Sequence, residues 1–158
     1  MIDIKQVHEQ TEKSFICEKI LRDLPDWFGV EASIIDYTKN VTTMPFFAVY
    51  SDDNPGGFAA LKIHNSHTAE IYVMGILEKY HRQGIGSKLI KFCENFCVQN
   101  RIEFLTVKTL DKSCESDSYR KTRQFYEAMK FRPLEVFPYF WDEQNPCLFM
   151  AKYIQLDK

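Results

Sequence analysis

The sequence contains no long uninterrupted apolar run, because charged residues break each hydrophobic stretch within a few positions. A membrane-spanning helix needs about 20 predominantly apolar residues in a row, so no membrane partner is expected. The first ten residues, MIDIKQVHEQ, also lack the apolar centre of a secretory signal peptide. These absences predict a cytoplasmic protein.

A basic excess is missing as well. The formal net charge is -2, whereas proteins that bind the phosphate backbone of nucleic acids normally carry a clear surplus of lysine and arginine. No nucleic-acid partner is therefore expected. The five cysteines are odd in number and show no Cys-x-x-Cys spacing, which argues against a disulfide scaffold and a zinc site. We expect no metal.

Hydrophobic residues make up 45% of the 158 positions, enough to bury a core, and we expect one domain over residues 1–158. Apolar spacing predicts helices over 9–24 and 31–41, from Gly84, and from about Ser118. Strands are predicted at 2–7, 45–51, 57–64, 69–76, 102–110, 131–137 and 148–154, with an aromatic loop between the last two. This order indicates an α/β fold, a mixed sheet flanked by helices.

Residues 71–90 join an apolar strand to a helix through His-Arg-Gln-Gly-Ile-Gly. Backbone amides at such a turn, left accessible by Gly84 and Gly86 and backed by a helix N-terminus, form a binding site for a diphosphate. The third glycine of a dinucleotide fingerprint would fall at Leu89, and the Gly-Lys-Ser/Thr ending of a nucleoside triphosphate loop is missing. Both of those nucleotide sites are therefore disfavoured.

The same segment resembles the pyrophosphate loop of the GNAT acetyltransferase superfamily, whose pattern is Gln/Arg-x-x-Gly-x-Gly/Ala after an apolar strand. His81 stands at the first position of the pattern, and the role of its side chain is open. Residues 122–131 resemble a second superfamily signature, Ala-x-x-Phe/Leu-Tyr-x-x-x-Gly-Phe. Thr122 replaces the usual alanine and Lys130 the usual glycine. The predicted element order also matches, so the resemblance implies the GNAT fold.

The resemblance implies acetyl-CoA as the acyl donor. It assigns the diphosphate to the loop residues His81, Arg82, Gln83, Gly84, Ile85, Gly86 and Ser87. It also implies that the end of the preceding strand splays from its neighbour, so that Gly75 and Ile76 can pair with the pantetheine arm. Tyr126 occupies the position of a tyrosine that is proposed to protonate the departing thiolate.

An amine attacks a thioester only as the free base, yet a lysine-like amine is mostly protonated at pH 7. A proton acceptor is therefore required. Glu70 lies fourteen residues before Gly84, the spacing at which lysine-acetylating members of the superfamily place a glutamate base. His64, His67 or a chain of water molecules are the alternatives.

The acceptor pocket is implied to lie between the turn containing Asp26 and Trp27 and the late aromatic loop. That loop holds Tyr139, Phe140 and Trp141, followed by Asp142 and Glu143. Aromatic walls with acidic residues suit an amine-bearing cation. The alternative is a set of core aromatic residues with exposed acidic residues.

The sequence thus predicts an N-acetyltransferase that transfers an acetyl group from acetyl-CoA to a primary amine of a small molecule or peptide, by direct attack in a ternary complex. Two alternatives remain open: a non-catalytic acyl-CoA-binding or sensor module, and an interaction domain whose glycine turn is architectural. A homodimer is compatible with the sequence, which determines neither the acceptor nor the oligomeric state.

Overall fold

The computed structural model describes residues 1–156, which form seven β-strands and four α-helices. The strands are β1 (Ile2–Gln6), β2 (Phe46–Ser51), β3 (Asn54–Ile63), β4 (Thr68–Ile76), β5 (Phe104–Leu110), β6 (Arg132–Asp142) and β7 (Asn145–Tyr153). The helices are α1 (Gln10–Arg22), α2 (Glu31–Asn40), α3 (Ile85–Gln99) and α4 (Asp117–Ala128), with short 3-10 helices at Val41–Thr43 and Glu78–Tyr80. Within this part of the chain, no helix is both long and apolar enough to cross a membrane.

All seven strands belong to one sheet with the order β1-β2-β3-β4-β5-β7-β6. The β4–β5 pair is parallel, and the other neighbouring pairs are antiparallel. The prediction of a mixed α/β sheet flanked by helices is therefore confirmed.

The two faces of the sheet carry separate hydrophobic cores. On one face, α3 contributes Leu89, Cys93 and Cys97 and α4 contributes Tyr126. On the other face, the core is built by α1 and α2, with Ile20 and other apolar residues of these helices. Cys93 and Cys97 are fully buried, which confirms that their spacing marks the apolar side of a helix.

The parallel strands β4 and β5 separate before they end. Their pairing runs from Thr68 with Phe104 to Ile71 with Val107, but β4 continues to Ile76 and β5 to Leu110. The β3–β4 register shifts at the same level, which is the mark of a β-bulge at Tyr72. Bulges bend a strand and disrupt its pairing, so the bulge accounts for the opening between β4 and β5.

The prediction of an aromatic loop at Tyr139, Phe140 and Trp141 was wrong. These residues belong to β6, which pairs with β7 on both sides of an irregular stretch between Phe137 and Asp142. Pro138 usually argues against a strand, but β6 is the last strand of the sheet, and an edge position tolerates proline.

Candidate active site

A cavity of about 570 Å³ occupies the opening between β4 and β5. It extends from the N-terminus of α3, at Gly84, Gly86 and Ser87, to aromatic residues near the α1–α2 connection. The strand ends in its wall include Gly75, Ile76, Val107, Lys108 and Thr109.

The start of α3 presents unpaired backbone amides. The first amide with an intrahelical partner is that of Lys88, which donates to the Gly84 carbonyl at 3.1 Å. Ile85, Gly86 and Ser87 therefore lack intrahelical acceptors for their amides. Among residues 1–156, no side chain caps this end. The positive end of the helix dipole and these donors together favour an anion.

The two glycines of this turn are required for different reasons. Gly84 has a φ of +77°, and a Cβ added to it would meet no described atom within 4 Å. Glycine is needed there for the left-handed backbone, and the open side is available to a ligand. A Cβ on Gly86 would instead lie 2.8 Å from Cε1 of Phe125. The expectation that Gly86 leaves room for the ligand is therefore corrected: it leaves room for α4.

His81 links the loop to the end of β4. Its Nε2 lies 2.6 Å from the Ile76 carbonyl oxygen, and because a carbonyl only accepts, this nitrogen carries the proton. The imidazole also packs edge-on against Trp27, with ring centroids 5.7 Å apart. The Ile76 carbonyl, which was expected to be free for the pantetheine arm, thus already accepts one hydrogen bond.

The remaining loop residues have varied surroundings. Arg82 has a φ of +61°, and its exposed side chain lines the cavity. The Gln83 side-chain amide donates to the Lys79 carbonyl at 2.8 Å, which stabilises the turn. At Gly75 an added Cβ would lie 3.1 Å from side-chain atoms of both Ile20 and Leu24, so this glycine allows α1 to pack closely on β4.

Tyr126 lies in the cavity wall and is only 6% exposed. Burial raises the pKa of its hydroxyl, and the neighbouring Cys93 and Tyr119 add to the effect. The hydroxyl is therefore protonated at neutral pH. The end of α4 holds the residue in place, because Phe131 donates to the Tyr126 carbonyl at 3.0 Å and the two rings meet at 5.4 Å.

Glu70 is buried at the paired end of β4. Its Oε1 lies 2.6 Å from His64 Nε2 and 2.9 Å from Lys108 Nζ. Lys108 lines the cavity, whereas Glu70 does not. The Glu70 carboxylate is therefore connected to the cavity through its ion pair with Lys108. The structure thus brings together two of the predicted proton acceptors, whereas His67 pairs with Glu103 at 2.9 Å.

Aromatic residues form much of the rest of the cavity wall. They include Trp27, Phe28, Tyr37, Tyr72, Tyr119 and Trp141. The indole nitrogen of Trp27 donates to Thr122 Oγ1 at 3.0 Å, which gives a role to the threonine that replaces the usual alanine. The Tyr119 hydroxyl donates to the Trp27 carbonyl at 2.6 Å. These two bonds tie the α1–α2 connection to α4.

The expected acidic contribution to this pocket was wrong. Asp26, Asp142 and Glu143 are exposed and lie outside the cavity wall. The charged side chains that line the cavity are basic: Arg82, Lys108 and Lys121.

Several wall residues were missed by sequence reasoning. Tyr37 and Tyr72 meet edge to face at 5.2 Å, but they come from α2 and from the bulged part of β4, and no local pattern joins them. Lys108 and Thr109 could have been identified from the sequence as candidate site residues, because both are polar and lie at the end of a largely apolar strand.

The sequence profile of the acetyltransferase (GNAT) family matches residues 13–131. The chain belongs to the GNAT acetyltransferase family. The match includes the loop at the start of α3, the whole of α4 and the two strands that splay. No curated protein matches the sequence significantly.

Solved structures of GNAT acetyltransferases share the fold. The ribosomal-protein-S18-alanine N-acetyltransferase of Escherichia coli is 15% identical with a TM-score of 0.79, covering 100% of this chain and 97% of the other. The aminoglycoside 6'-N-acetyltransferase of Enterococcus faecium is 17% identical with a TM-score of 0.76, covering 99% of each chain. A GNAT acetyltransferase of Elizabethkingia anophelis with acetyl-CoA bound is 17% identical with a TM-score of 0.73, covering 96% and 97%. At these identities the likeness concerns the fold.

Proposed function

We propose that this GNAT protein transfers the acetyl group of acetyl-CoA to a primary amine of a small molecule or peptide. The observation that carries the proposal is the continuity of the cavity from the uncapped start of α3, through the opening between β4 and β5, to an aromatic pocket. In this proposal the diphosphate would lie at the start of α3, the extended arm in the opening between the strands, and the acceptor against the aromatic pocket.

The residues at the donor end fit acetyl-CoA. The amides of Ile85, Gly86 and Ser87 would hold the diphosphate, which the helix dipole also favours. Gly84 leaves its side of the loop open to the ligand, and Arg82 adds a positive charge. The rest of the loop, His81 and Gln83, shapes the turn through its hydrogen bonds. Gly75 and Ile76 line the part of the cavity assigned to the arm.

Bound acetyl-CoA would supply the acetyl group and a thiolate leaving group. The protonated Tyr126 hydroxyl is the proposed proton donor to that thiolate. Because a thiol has a pKa of about 8.5, its departure needs modest help, on the order of ten- to a hundredfold in rate. Glu70 is the proposed proton acceptor for the amine, although it lies outside the cavity wall. The proton would reach it through an intervening water, or through Lys108, which would give one of its own protons to Glu70 and take the proton of the amine in its place.

The four buried cysteines support direct attack by the amine over a covalent acetyl-cysteine intermediate, and the half-buried Cys114 is not among the residues of the cavity wall. Burial raises the pKa of Cys97 and of Cys147 to about 11 and that of Cys17 to about 12. Burial also raises the pKa of Cys93. A protonated thiol is a poor nucleophile. These free thiols also fit a reducing compartment, so we place the reaction in the cytoplasm.

An acceptor screen with detection of the released CoA thiol tests the proposal. The panel contains polyamines, amino acids, aminoglycosides and peptides with free N-termini, because two structural neighbours are named for an aminoglycoside and a ribosomal-protein acceptor. Reactions without acceptor correct for hydrolysis. Thiol release with an amine, and an acetylated product by mass spectrometry, are expected. Binding of acetyl-CoA without turnover on any amine would favour a binding module instead.

A further inference from the structure

Thr109 carries a buried hydroxyl with no hydrogen-bond partner. The residue is 3% exposed, and its Oγ1 is the buried side-chain polar atom left unpaired among residues 1–156. Buried polar groups are normally hydrogen-bonded, because leaving one unpaired destabilises the folded state. The hydroxyl of Thr109 therefore calls for a partner from outside the chain.

The position of Thr109 identifies where that partner lies. The residue is two positions beyond Val107, where the pairing of β5 with β4 ends, and it lines the cavity between these strands. Thr109 is thus placed beside the opening that the arm of an acyl donor would cross, just beyond the last residue of β5 that pairs with β4.

The face of the sheet to which Thr109 points indicates which of the two substrates, the acyl donor or the acceptor, its hydroxyl would meet. The register of β5 with β7 is continuous from Phe104 to Leu110, so Thr109 points to the same face as Leu105 and Val107. That face carries α3 and α4, including Tyr126. The aromatic residues Tyr37 and Tyr72 of the acceptor end pack on the opposite face.

We propose that the Thr109 hydroxyl binds the acyl donor, by a hydrogen bond to an uncharged amide or thioester group of its pantetheine arm. This inference rests on the proposed function, because it takes acetyl-CoA as the ligand. Thr109 is a binding residue in this assignment, additional to the backbone contacts of the loop and of β4.

Thr109→Val tests the assignment, because valine keeps the shape of threonine and removes the hydroxyl. Thr106→Val is the matched control. Thr106 lies on the same strand and is 4% exposed, but its Oγ1 already has a partner, the Ala69 carbonyl at 3.5 Å. Thr109→Ser retains the hydroxyl. The dissociation constant of CoA and acetyl-CoA is measured by calorimetry without acceptor, and the melting temperature of each free protein is measured in parallel.

Thr109→Val should weaken binding of acetyl-CoA about three- to tenfold, the range for loss of one neutral hydrogen bond. Its free protein should melt at the same temperature as the parent or higher, because the unpaired hydroxyl is gone. Thr106→Val should bind like the parent and melt lower, and Thr109→Ser should bind like the parent.

Parent-like affinity in Thr109→Val would overturn this assignment and leave the proposed function standing. Equal weakening in Thr109→Val and Thr106→Val would also overturn it, because the effect would not be specific to the unpaired hydroxyl. Absence of acetyl-CoA binding by the parent protein would contradict both the assignment and the proposed function.

Discussion

Replacement of Lys130 by glycine should stabilise the protein. Lys130 follows the end of α4 with a φ of +75°, and its amide donates to the Glu127 carbonyl at 3.0 Å. Together with the Phe131–Tyr126 bond, this is the Schellman arrangement, which favours glycine at this position. A left-handed conformation costs a non-glycine residue roughly 1–2 kcal/mol. Glycine avoids that cost, but its greater flexibility stabilises the unfolded chain by about 0.4–1 kcal/mol. The folded protein should therefore be stabilised by a net amount of about 0.5–1 kcal/mol.

The expected signal is measurable by thermal unfolding. For a chain of roughly this length, 1 kcal/mol corresponds to about 2–4 °C in melting temperature, so Lys130→Gly should melt about 1–4 °C above the parent. Urea unfolding should show a higher midpoint with an unchanged slope. The bond from Phe131 to the Tyr126 carbonyl is kept, so turnover should remain the same.

Lys130→Ala is the matched control for this prediction. Alanine removes the exposed lysine side chain but keeps the left-handed strain, so its melting temperature should stay within about 1 °C of the parent. A Lys130→Gly protein that melts at or below the parent temperature would refute the reasoning. A rise of equal size in both variants would mean that the lysine side chain, and not the backbone, is responsible.

Three further changes test the site. Gly84→Ala strains a left-handed backbone and places a Cβ on the ligand side, so melting temperature and calorimetric affinity for acetyl-CoA should both fall; unchanged affinity would contradict the loop assignment. Tyr126→Phe should keep that affinity but lower turnover about ten- to a hundredfold, whereas full activity would make Tyr126 a packing residue. Glu70→Gln should keep that affinity and lower the maximal rate, because glutamine cannot accept the proton of the amine. Glu94→Gln, which breaks a comparable pair with Lys152, is its control, and a parent-like maximal rate in Glu70→Gln would exclude Glu70 as the base.

The sequence alone determined the features that depend on neighbouring residues. Helical spacing marked Cys93 and Cys97 as core positions, and the turn around Gly84 marked the start of α3. The family signature that residues 122–131 resemble has a glycine where Lys130 stands, and the backbone at that residue is left-handed. Periodicity and turn chemistry act over a few residues, so they can be read directly from the chain.

The tertiary structure decided the features that join distant parts of the chain. Gly86 makes room for Phe125, which lies on a different helix, and the Glu70 carboxylate binds Lys108, 38 positions away. The length of β6 depended on pairing with β7 across an irregular register. Each of these outcomes depends on packing and burial in the folded sheet, where distant residues compete for the same space and the same hydrogen-bond partners. Local sequence patterns cannot predict the result, because they involve only residues that are close together in the chain.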